Sequence, residues 1–265
     1  ATFTGLGLGL DWLQIAARWL TLWSLALAGG FLTWRVCYLR EREAEADQAA
    51  VDALNATALQ RADQVGHWVA PIVWIGAGGA LAVPQLDSQP VLKAALIAGS
   101  VVLSGVLIVG VRRGVVAIFG ALVVVALLVG WAYTDAGAGW PGLVRLLHLT
   151  AFTLWLGGAL WNIAVAMPAG RQHPVVDAVL AGANQLDRFR WVVRFALPTI
   201  IVTGLVMAWG YRGLPASWWI TFPGVLIPLK VLAIVALVVV FITCPLFRHC
   251  SPVQGVCNLD DLDEK

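Results

Sequence analysis

The chain has 265 residues, 60% of them hydrophobic and only 12% charged, with a mean hydropathy of +0.84. Soluble domains run nearer about a quarter charged, so this is the composition of an integral membrane protein, with the lipid bilayer as its first partner. A net charge of +2 is too small to point to nucleic acid, and no nucleic-acid partner is expected.

Seven apolar stretches come near the length that a hydrocarbon core of roughly 30 Å requires: 12–38, 66–86, 91–111, 114–134, 142–167, 190–211 and 223–244. The expected fold is therefore all-α, a polytopic transmembrane helical bundle of about seven spans. Residues before Trp12 lack a basic start and a cleavage site, so the first span is expected to stay as a membrane helix. Between the first two spans, residues 40–64 are charged and rich in alanine and glutamate. They read as a helical arm outside the membrane, lying on its surface. Residues 169–187 read as a loop with a short helix. The chain thus divides into a four-helix unit (1–134), a three-helix unit (142–246) and a polar tail (247–265). RWLTLWSLALAGGF in the first span is similar to RLLHLTAFTLWLGGAL in the fifth, a hint of internal repetition.

Orientation follows from lysine and arginine. Arg40, Arg42, Arg61, Arg112, Arg113, Arg171, Arg188, Arg190 and Arg248 share one side, which the positive-inside rule places in the cytoplasm. The N-terminus is then outside and the C-terminus inside, as for a multi-pass protein of a bacterial inner membrane. The fourteen tryptophans agree: Trp12, Trp131, Trp140, Trp209, Trp218 and Trp219 fall at the outer surface, and Trp34, Trp68 and Trp191 at the inner one.

The fifth span, GLVRLLHLTAFTLWLGGALWNIAVAM, carries Arg145 and His148 near its start. An ionisable group in lipid is costly, which makes it a candidate functional residue. His148 and Lys230 each lie seven positions past a proline, Pro141 and Pro223, that marks the outer end of the helix. Both thus sit about 10 Å below the outer surface and suggest a shared polar pocket. A neutral imidazole can ligate copper or haem iron, and the ammonium can hold a propionate or another anion. Arg145 shares the helical face of His148 and can serve the same anion; Trp155 lies on that face too, and Arg18 reaches a similar depth from the first helix. The plainer alternative is snorkelling cations and a histidine bonded to a backbone carbonyl.

Other candidates are weaker. His67 lies near the cytoplasmic side and is either a second metal or haem ligand or merely wetted by headgroups. In the tail, His249, Cys250 and Cys257, with Cys244 nearby, offer soft ligands for copper, although the spacing is not that of a CxxC hairpin. His173 reads as solvated, Arg194 as snorkelling, and Asp135 as a partner for Arg145 or Arg212. No Gly-rich phosphate loop, HExxH or nucleophile elbow is present, so catalysis of the soluble-enzyme kind is not expected.

The runs HLTAFTLWLGGAL, LDRFRWVVRFALPTIIVTGLVMAW and PGVLIPLKVLAIVALVVVF together resemble the C-terminal domain of the CopD family of copper-resistance membrane proteins. His148, Trp155, Gly157, Gly158, Arg188, Phe189, Thr203, Gly204 and Lys230 match the pattern, which is clearest over 145–242. The resemblance implies an inner-membrane protein that takes up copper or receives it from a periplasmic copper protein, with His148 as ligand. The sequence departs from the family in lacking an eighth span. Its only methionines are Met167 and Met207, whereas a Cu(I) path favours a methionine ladder. A His and a Lys on separate helices also resembles small membrane haem proteins linked to protoporphyrinogen oxidation. Two further readings follow: a b-haem- or quinone-associated anchor or electron-transfer subunit of a respiratory or oxidative complex, and a structural accessory subunit that contacts other membrane-complex subunits.

Overall fold

The computed structural model describes residues 11–40, 42–43, 46–222 and 224–243. These form an all-α helical bundle, and no strand occurs among the described residues. The helices are α1 (Asp11–Tyr38), α2 (Gln48–Leu81), α3 (Pro90–Val109), α4 (Gly114–Ala136) and α5 (Trp140–Trp161). A π-helical turn, Asn162–Ala166, joins α5 to the single turn α6 (Met167–Gly170). Then follow α7 (Val176–Trp209), the short α8 (Ala216–Ile220) and α9 (Leu226–Thr243).

Local chemistry sets the helix ends. The Asp47 carboxylate caps α2 by accepting from the backbone N–H of Ala49 and Ala50, at 3.1 and 3.3 Å. Prolines open α3 and α5, where a missing N–H costs nothing. Gly110 stops α3 at φ +100°, a conformation open to glycine, and the Asp63 carboxylate packs against its Cα. That carboxylate accepts the N–H of Val111 at 2.9 Å and pairs with Arg112, tying the α3–α4 turn to α2.

Helix α1 is the hub, packed against α2, α4 and α5. At the α1–α5 crossing Gly30 faces Gly157, and a Cβ on Gly30 would lie 2.6 Å from the Gly157 Cα. Only glycine permits this approach, which replaces hydrophobic driving force with close van der Waals contact inside lipid. The two segments whose sequences resemble each other therefore pack glycine to glycine. The main buried core runs through α1 to α5 and on into α7.

Among the described residues, five helices are long and apolar enough to cross a membrane: α1, α3, α4, α5 with its continuation to Gly170, and α7. The other two expected spans are the 66–81 half of α2, which follows Arg61 and Asp63, and α9, whose apolar stretch runs Leu226–Ala236. Leu229, Val231, Leu232, Val235 and Val239 of α9 are all exposed.

The two long polar connections take definite form. The charged segment 40–64 is helical from Gln48 onward, as expected, and forms the first half of α2, continuous with the apolar half. Val51, Leu54, Ala58 and Ala62 form a stripe at helical spacing, are at most 2% exposed, and continue into Gly66, Val69 and Val73. By contrast, 169–187 is no loop with a separate helix, because α7 begins at Val176. Ala178, Val179, Ala181 and Gly182 are buried on one of its faces. Each of these two helices has 34 residues. At roughly 1.5 Å per residue each is about 51 Å long, well beyond the hydrocarbon thickness. Their leading halves meet each other, with the backbone N–H of Asp47 bonded to the Asp177 carboxylate at 3.0 Å. The tail candidates Cys244, His249, Cys250 and Cys257, and the unit 247–265, lie outside the described residues.

Candidate functional site

Where α4 ends and α5 begins, one carboxylate bridges two guanidinium groups. Asp135 binds Arg18 of α1 through Oδ1 and Arg145 of α5 through Oδ2, the latter at 2.9 Å. The Arg18 and Asp135 side chains are 12% and 17% exposed, so this is a largely desolvated triad. Arg145 also points Nη1 at the Met207 sulfur of α7, at 3.6 Å, while its Nε is buried with no acceptor among the described residues. Arg18 stacks over Trp131, 5.8 Å from the ring centroid, and the Trp131 indole N–H is likewise buried and unpartnered.

One turn further along α5 stands His148, half-buried, with Nδ1 2.9 Å from the Thr203 hydroxyl of α7. Gly204 lies against the ring: a Cβ there would be in ordinary contact with the His148 Cε1, at 3.5 Å. The charges of Arg145 and Lys230 both reach the imidazole. Lys230 of α9 lies over the Trp19 ring, 4.6 Å from its centroid. Two cations, Arg145 and Lys230, thus act on His148, an excess of positive charge at the ring.

Aromatic rings line the α1–α5 flank of this site. Trp19 stacks on Trp23 at 6.1 Å, Trp23 meets Phe152 edge-on at 5.1 Å, and Phe152 meets Trp155 at 6.2 Å. Phe152 and Trp155 follow His148 at i+4 and i+7, which places them on its face. Beyond Trp19 an apolar groove of about 420 Å³ opens between α1 and the start of α9, lined by Trp12, Ile15, Leu20, Phe222 and Leu226.

The structure therefore brings together Arg18, Arg145, His148, Trp155 and Lys230, and adds Asp135, Thr203 and Met207. Asp135 pairs with Arg145, as its position suggests, and with Arg18 rather than Arg212, which folds back on Trp209. Thr203 carried a signal in the sequence, a Thr-Gly pair in an apolar helix. Met207 carried none.

His67 is placed apart from this group. It is exposed, and its Nδ1 lies 2.6 Å from the Asp63 carbonyl of its own helix. Asp63, on α2, binds the α3–α4 turn, at the opposite end of α4 from Asp135. His173 is not simply solvated: its ring lies 2.7 Å from the Thr57 hydroxyl. Arg194 is exposed. A second polar network at the far end escaped the sequence reading. There the Tyr38 hydroxyl bonds the Asn162 amide oxygen at the π turn, and Arg188 pairs with Glu43 while donating to the Tyr38 carbonyl at 2.6 Å. Among the described residues no three His, Cys, Asp or Glu side chains cluster as a ready metal cage.

No protein-family model, curated protein or solved structure matches the chain.

Proposed function

We propose that the chain is a multi-pass membrane protein that would hold b-type haem through the imidazole of His148, and acts as an electron-transfer or anchor subunit of a larger membrane complex. The observation that carries this reading is the setting of His148: one imidazole beside aromatic rings and an excess of positive charge. A bare metal cation is repelled by such a setting, whereas a planar macrocycle with two carboxylates matches it in both shape and charge. The residues fit the group on a second count, because the buried Arg145 Nε lacks an acceptor and a propionate oxygen would supply one. When bound, the haem would carry one electron at a time. The chain's own share is to supply the imidazole nitrogen, to neutralise carboxylates with Arg145 and Lys230, and to exclude water with Trp19, Trp23, Phe152 and Trp155. In the inner-membrane orientation expected from the arginine distribution, this site faces outward.

A second reading, copper handling of the CopD type, draws on Met207. Its thioether is a soft donor one helical turn beyond Thr203, on the rung next to His148. Under this reading His148 and Met207 would meet copper delivered from the outer side, and Arg145 would have to release the sulfur first.

The test is a dithionite-reduced minus oxidised visible spectrum of the purified protein and of His148→Ala, with metal analysis on the same samples. The haem reading expects a sharp α-band in the parent protein that disappears in the variant. Stoichiometric copper without haem, lost in the variant, would establish the copper reading. Neither metal in the parent protein would leave a structural accessory subunit.

A further inference from the structure

We propose that Thr203 is the positioning residue of this site: it holds His148 in the Nδ1-protonated tautomer, so that Nε2 is the atom presented to a ligand. The importance of the tautomer rests on the reading of His148 as a metal or haem ligand; the tautomer itself does not.

The argument is a count of protons. A threonine hydroxyl has one proton to give and two lone pairs to offer. Thr203 lies on α7 with the Thr199 carbonyl of its own helix in close range and the Ile200 carbonyl at 3.4 Å. Carbonyls only accept, so the hydroxyl proton is directed back along α7. The oxygen then has only lone pairs left for the imidazole at 2.9 Å. Nδ1 must therefore be the donor. A neutral imidazole carries one ring proton, so Nε2 is left bare. Bare Nε2 is the ligating form, and an acceptor on the other ring nitrogen both orients the ring and raises its basicity.

Gly204, next to Thr203, lies beside the same ring, and a Cβ there would make ordinary contact with the His148 Cε1 at 3.5 Å. The α5–α7 packing thus selects one of two otherwise similar tautomers, and reverses the Nε2–H preference that a free imidazole shows in water.

The decisive measurement is the nitrogen NMR spectrum of ¹⁵N-histidine-labelled full-length protein in lipid nanodiscs, with His148 assigned by its loss in His148→Ala. The proposal expects a proton on Nδ1 and an unprotonated Nε2. It further expects reversal to Nε2–H in Thr203→Val and the parent pattern in Thr203→Ser, which keeps the hydroxyl. Nε2–H in the parent protein, or an unchanged Nδ1–H in Thr203→Val, would overturn it. Haem titration separates this result from the functional reading. Loss of an orienting partner typically weakens a histidine-held centre about 10–100-fold. Thr203→Val should fall by that amount with a shifted reduced spectrum, Thr203→Ser should bind like the parent, and His148→Ala should not bind. Equal weakening in the Ser and Val variants would assign the effect to packing and overturn the positioning role. Full binding by His148→Ala would overturn the haem reading while leaving the NMR result to stand.

Discussion

Two helices carry a histidine on an apolar face, and the chain uses them differently. On α2, His67 turns back to a carbonyl of its own helix and lies exposed beside Trp68. On α5, His148 reaches across to Thr203 of α7 and stands among cations and rings. The first arrangement satisfies the ring locally and asks nothing of the fold. The second exists only when α5 and α7 are packed, so the fold dictates both the direction of the ring and its proton. The residue type is the same at the two positions; the partner helix separates them.

The largest test of that contrast is paired replacement. His148→Ala should abolish cofactor binding and His67→Ala should leave it unchanged, as read by metal or haem content per protein. Equal loss in both would erase the distinction drawn between the helices. Next in size is Asp135→Ala, which leaves the guanidinium groups of Arg18 and Arg145 facing each other without their shared carboxylate. Removing one partner from a buried charge network costs about 3 kcal/mol, to be measured by reversible unfolding in detergent. A cost below about 1 kcal/mol would show that the triad is solvated, like a surface pair. The smallest test uses glycine. Gly157→Ala on α5 would drive a methyl into the Gly30 backbone and should destabilise by about 1–3 kcal/mol. Gly78→Ala on α2 meets nothing within 4 Å and should be neutral or stabilising by up to about 1 kcal/mol. Thermal unfolding of the two variants side by side reads the difference.

Much of the architecture is legible in the sequence because hydrophobic periodicity is local. The apolar stretches of α1, α3, α4, α5 and α7 can be read directly, with proline at the starts of α3 and α5. The strip of Arg145, His148 and Trp155 follows from helical spacing alone. In segment 40–64 charge masks a sparse buried stripe; Val51, Leu54, Ala58 and Ala62 mark that stripe once spacing is weighed above composition. The partners of the site residues were harder to see. Asp135 meets Arg18 across 117 positions of chain, and His148 meets Thr203 across 55. Such pairings depend on which helix faces lie together, and apolar helices of similar composition leave that choice to close packing at glycines such as Gly30 and Gly157. His173 shows the same limit on a smaller scale, since nothing near it in sequence announces Thr57.

The π turn at Asn162–Ala166 has a consequence for how the chain tolerates changes in length. A π turn holds one residue more than the α-helical turn it replaces. In an ordinary helix an added residue would rotate everything after it by about 100° and carry each later side chain to a wrong face. Here the extra residue is taken up within one turn, where Asn162 stays bonded to the Gly158 carbonyl and to Tyr38. The segment therefore works as a phase adjuster between two stretches of helix. Upstream, α5 keeps the register that aims His148 at α7; downstream, Met167–Gly170 keeps the register that packs against α2 and α7. The demands of the two ends on one helix are uncoupled at the point where its hydrogen-bond ladder changes step.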